Sequence, residues 1–120
     1  MSKTILIVED NELNMRLFTD LLEAHGYDTL QSLDGKDTID IARDKKPNLI
    51  VMDIQLPGKS GIEITKELKA DEDLKHIPVI AVTAFAMKGD EERIMEAGFS
   101  SYVAKPVSVP SFLDNVARFL

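Results

Sequence analysis

A chain of 120 residues, 44% hydrophobic and 29% charged, has the size and composition of one globular domain able to bury a core without cross-links. The absence of cysteine excludes disulfides and thiolate metal sites, and a formal net charge of −7 argues against binding to nucleic-acid backbones. No apolar run approaches the roughly 20 residues of a membrane span, and the amino terminus lacks a signal peptide's basic and apolar regions, so a cytoplasmic protein without membrane insertion is expected.

Taken in chain order, Ile5–Val8 is a short apolar run that predicts a buried strand. After Asn11, Leu13, Leu17 and Leu21 recur at four-residue spacing beside Phe18 and Leu22. They predict a helix with that apolar stripe, stopping at His25-Gly26. Tyr27–Ser32 is far more polar and predicts an edge strand. A helix is expected over Asp34–Asp44, with Ile39 and Ala42 apolar. Leu49–Met52 and Val79–Val82 repeat the pattern of a central strand, and Ser60–Ala70, carrying Ile64 and Leu68, is the helix between them. Asp90–Ala97 predicts a helix ending at Gly98, Ser101–Ala104 a second edge strand, and Ser108–Leu120 a last helix with Phe112, Leu113, Val116 and Leu120. With no repeat or linker, the βα unit recurs five times over a single domain, residues 1–120. This predicts an α/β fold with a doubly wound five-stranded parallel sheet, order 2-1-3-4-5, flavodoxin-like.

In such sheets, sites form outside the carboxyl ends of the strands. The first run ends in Glu9-Asp10, the third in Asp53, the fourth in Thr83 and the fifth in Lys105. Singly each has a plain reading: a helix cap for the acids, a turn before Pro57-Gly58 for Asp53, a strand residue for Thr83, a solvated side chain for Lys105. Together they put three carboxylates, a hydroxyl and an ammonium along one edge. Three close carboxylates cannot all stay ionised cheaply without a cation. An all-oxygen donor set suits Mg²⁺, with Mn²⁺ as a substitute, and Mg²⁺ is bound by carboxylates, water and phosphate oxygens. Asp53, between the acid pair and the Thr83/Lys105 side, is the best candidate for a nucleophile that attacks phosphorus. Lys105 would neutralise charge on the transferring group and Thr83 would donate to it.

The stretches VEDN (8–11), LIVMDIQLPGKSG (49–61), VIAVTA (79–84) and YVAKP (102–106) resemble, in order and spacing, the receiver domains of two-component response regulators, over Lys3 to Leu120. Within that family, EDNELNMRLF (9–18) and VTAFAMKGDEER (82–93) are similar to stand-alone regulators of cell division and polarity in alphaproteobacteria. The resemblance implies that Asp53 is the phosphorylated aspartate, that Glu9, Asp10 and the Gln55 backbone carbonyl complete the Mg²⁺ site with it, and that Lys105 is the family's active-site lysine. It implies that Thr83 and Tyr102 are the switch pair, that Ala84 leaves the site open, and that the Lys105-Pro106 bond is cis. Partners would be sensor histidine kinases or phosphotransferase proteins, met through the fourth helix, fifth strand and fifth helix and recruiting the protein to cell poles. Phe85, Met87, Phe99 and Phe112 lie in or near that face, Phe112 reading as core. With no output domain, output would be protein contact.

A phosphoacceptor rather than a turnover enzyme is therefore expected. A phosphatase would call for an acid where Gln55 stands, and a flavin site for a Ser, Thr or Gly-rich loop where Glu-Asp-Asn-Glu stands. The same motifs would also serve a receiver domain of a hybrid kinase phosphorelay, or a binding module indifferent to phosphorylation. His25 reads as a helix-end residue and His76 as a loop residue.

Overall fold

The computed structural model describes residues 3–54, 60–83, 88–105 and 107–120. Gln55, Ala84, Phe85, Met87 and Pro106, all singled out above, lie outside the described residues. The elements are β1 (Thr4–Val8), α1 (Glu12–Ala24), β2 (Asp28–Ser32), α2 (Thr38–Lys45), β3 (Leu49–Asp53), α3 (Gly61–Ala70), β4 (Val79–Thr83), α4 (Lys88–Glu96), β5 (Ser101–Ala104) and α5 (Val109–Arg118). The strands form one parallel sheet in the order β2-β1-β3-β4-β5, as the sequence predicts.

The apolar runs of β1, β3 and β4 are buried on both faces, while β2 at the edge is mostly exposed or half-buried. Burying continuous Val, Ile and Leu runs requires cover on both sides, and the crossover helices supply it. One layer packs Leu6, Ile50, Met52, Ala81, Ile64, Leu68, Ile94 and Phe99 together. The other packs Ile7, Val51, Val82, Met15, Phe18, Leu22, Phe112 and Val116, and the rings of Phe18 and Phe112 stack with centroids 5.0 Å apart.

Two sequence expectations need correction. In α1 the buried residues are Met15, Phe18 and Leu22, whereas Leu13 is 80% exposed and Leu17 44% exposed. A strict four-residue row drifts around a helix by roughly 40° per step. Leu13 therefore starts on the far face and only Leu21, partly buried, reaches the edge of the core. The second correction concerns α2, which begins at Thr38 rather than Asp34. Residues 34–37 form a turn in which Lys36 N donates to Asp34 Oδ1 (3.0 Å) and Gly35 adopts φ 81°. The Asp37 carboxylate, at the N-cap, accepts from Ser32 Oγ instead of capping the helix.

Candidate functional site

The register of the sheet brings the predicted residues to one edge. Val8 is level with Met52, so Glu9 is level with Asp53; Asp53 faces Val82, and Thr83 faces Ala104, the residue before Lys105. Glu9 N donates to Ser32 O (3.0 Å), which extends the β1–β2 ladder one residue and fixes where the acid leaves the sheet. Lys105 N donates to Thr83 O (2.8 Å), tying the lysine to the end of β4.

Glu9, Asp10 and Asp53 each offer a carboxylate oxygen within 4.8 Å of the others. Glu9 (1%), Asp53 (2%) and Thr83 (1%) are buried, while Asp10 is exposed. Lys105 Nζ lies 3.4 Å from Asp53 Oδ2 and 3.6 Å from Glu9 Oε1. Among the described residues, three carboxylates thus cluster around one ammonium. Burial first, and then the hydrogen bond that a protonated Glu9 shares with Asp53, push Glu9 up to about 7; Asn14 and the Lys105 charge oppose this.

The donor set fits a hard divalent cation. All three groups offer oxygen, and Glu9 Oε2 is buried and receives no hydrogen-bond donor among the described residues. A buried carboxylate oxygen with no donor is costly, and a cation or its bound water would satisfy it. Tyr102, on β5, is half-buried and packs against the core layer that contains α3 and α4. His25 ends α1, its Nδ1 3.0 Å from Leu21 O, and His76 lies exposed in the loop before β4; neither belongs to this cluster.

Two residues at the site are not evident from the sequence. Asn14 Nδ2 donates to Glu9 Oε1 (3.1 Å). The signal is the helix start: Asn11 is the N-cap and its Oδ1 accepts from Asn14 N (3.0 Å), so Asn14 is the third helical residue, whose side chain reaches back past the cap. Gly61, at the first position of α3, is the other. Its N donates to Ile54 O (3.1 Å), and a Cβ there would overlap the Asp53 carbonyl oxygen. The missing side chain lets α3 start directly against the end of β3. Beside the site, Asn14, Leu17, Phe18, Lys105 and Val107 line a groove between α1 and the β5–α5 connection.

Set against known proteins, residues 5–117 match the family described as the response regulator receiver domain. The chain is 59% identical over 120 residues, 100% of its own length and 98% of the other's, to the polar-differentiation response regulator DivK of Brucella ovis. Among solved structures, it resembles the receiver domain of the sensor histidine kinase PA1611 from Pseudomonas aeruginosa, which has a magnesium ion coordinated in its active-site cleft. That match has 33% identity and a TM-score of 0.90, covering 99% of this chain and 98% of that one. The chemotaxis protein CheY4 of Vibrio cholerae superposes with a TM-score of 0.94 over 100% of both chains at 20% identity, a likeness of fold.

Proposed function

This chain belongs to the response regulator receiver domain family, and from that premise we propose that Asp53 accepts a phosphoryl group from a phosphohistidine on a histidine kinase or phosphotransferase protein. The observation that carries the proposal is the placement of one buried carboxylate, Asp53, beside the Glu9–Asp10 pair and 3.4 Å from Lys105 Nζ. A carboxylate oxygen of Asp53 attacks phosphorus as the P–N bond to the donor imidazole breaks. The imidazole keeps the electron pair and takes up a proton, and the product is an acyl phosphate.

Glu9, Asp10 and Asp53 would hold Mg²⁺, which when bound neutralises charge on the phosphoryl oxygens. Lys105 is already within reach of Asp53 and turns its ammonium from the carboxylates to a phosphoryl oxygen. The Thr83 hydroxyl, at the buried end of β4, donates to another. Tyr102 then turns inward behind Thr83, and the equilibrium of the α4–β5–α5 face shifts toward the partner-binding state. The similarity to DivK supports a role in polar differentiation and cell division, exercised by protein contact in the cytoplasm and at the poles.

Transfer from a purified, autophosphorylated partner kinase should label the wild type and leave Asp53→Asn unlabelled. Label retained in that variant would place the acceptor elsewhere. Kinase binding should weaken on Tyr102→Ala more than on Lys45→Ala, and equal effects would remove the proposed face.

A further inference from the structure

Glu9 has two carboxylate oxygens in different situations. Oε1 accepts from Asn14 Nδ2 at 3.1 Å and lies 3.6 Å from Lys105 Nζ, beyond ordinary hydrogen-bond length. Oε2 is buried and has no donor among the described residues. Among the described residues Asn14 is the side chain that donates a hydrogen bond to the ionised carboxylate, which fixes its plane and leaves the second oxygen for a cation. Asn14 is itself fixed, because its backbone N–H is bound by the Asn11 cap and the next residue, Met15, is buried in the core. The tether runs from the packed face of α1 to the acid.

We propose that Asn14 is a positioning residue that holds Glu9 Oε1 so that Oε2 is presented to the divalent cation and Lys105 is left for Asp53. The inference rests on the Mg²⁺-dependent receiver reading above and deepens it. Lys105 stands between two acids, 3.6 Å from one and 3.4 Å from the other. Without the Asn14 amide, the Lys105 ammonium is the nearest cation to Glu9 Oε1 among the described residues, and an ammonium drawn to Glu9 moves away from Asp53. Both consequences weaken cation binding: the carboxylate loses its orientation, and its competing cation comes closer. Outer hydrogen bonds to metal ligands commonly change affinity by about 10-fold or more when removed.

The test is a Mg²⁺ titration of the whole chain followed by backbone amide chemical shifts, so that affinity is read without any phosphoryl donor. Asn14→Leu keeps the volume and removes the amide; Asn14→Ser keeps polarity but is too short to reach Glu9; Asn14→Gln keeps the amide. The proposal expects Leu and Ser to weaken Mg²⁺ binding by about 10-fold and Gln to restore part of it. Wild-type affinity in Leu and Ser overturns the role of Asn14 while leaving the receiver reading intact. A loss that Gln does not relieve at all reduces Asn14 to a packing residue and also overturns it. A wild type that shows no saturable Mg²⁺ binding overturns the metal reading itself, and this inference with it.

Discussion

Two charged clusters lie at opposite ends of the sheet. At the amino-terminal end of the strands, Arg43 on α2 reaches Asp71 after α3, with Nε at 3.2 Å and Nη2 at 2.5 Å from the same oxygen. The pair is complete, an exposed Arg43 against a half-buried Asp71: the Arg43 hydrogen bond holds Asp71 below its ordinary range, and Asp71 raises Arg43. At the carboxyl end, Lys105 sits 3.4 and 3.6 Å from two buried acids, with a third carboxylate alongside. One cluster is short, balanced and near the surface; the other is long, unbalanced and built on two buried acids. A balanced surface pair adds little to stability and does nothing further. An unbalanced buried cluster costs folding free energy, which is tolerable where a bound cation or a transferred group completes it.

That contrast can be broken experimentally. The largest effect should come from Lys105→Met, which removes the ammonium 3.4 Å from Asp53 and should slow phosphoryl transfer by about 100-fold, measured by single-turnover kinetics. A rate close to wild type would mean that the lysine does not act on the transferring group. Next is Gly61→Ala, whose Cβ collides with the Asp53 carbonyl oxygen; it should destabilise the fold by about 1–3 kcal/mol in urea unfolding and slow transfer as well. Unchanged stability and rate would show that the start of α3 can yield without disturbing Asp53.

The pH dependence is smaller but signed. Folded Glu9 titrates at about 7 against an ordinary 4.5, so between these values the folded state keeps a proton that the unfolded chain has lost. In chelator, stability should be highest below that window and should fall as pH rises through about 7. Glu9→Gln should flatten the profile in thermal melts, and a slope of the opposite sign would contradict the assignment. The smallest effect is expected of Arg43→Ala at the other end: little change in melting temperature and none in transfer. A large loss of transfer there would couple the two ends and erase the distinction between them.

The strands are legible in the sequence because their physics is local. Ile5–Val8, Leu49–Met52 and Val79–Val82 are apolar at successive positions, a pattern that two-sided burial explains, and their βα repetition constrains the sheet order. The same runs end in the residues that meet at the site. The family resemblance and the likeness to polarity regulators are likewise borne out by the similarity to known proteins. The face of α1 is less legible, because Leu13 and Leu17 extend an apparent stripe, whereas the packed row is Met15, Phe18 and Leu22, spaced three and then four apart. Asn14 and Gly61 stay hidden for another reason. Each matters through a contact with a residue on another element, Glu9 in one case and Asp53 in the other, and composition and spacing carry little trace of such pairs. The turn at 34–37 reads as helix because Asp34 is a good cap residue, while the cap position belongs to Asp37.

The central claim is that Asp53 is a metal-dependent phosphoacceptor. Its most direct test is intact mass spectrometry after incubation with acetyl phosphate, on wild type and Asp53→Asn, with Mg²⁺ and with chelator. The account predicts a single phosphate adduct on the wild type that requires Mg²⁺ and is missing from the variant. An adduct that survives in Asp53→Asn, or that forms equally in chelator, would contradict it.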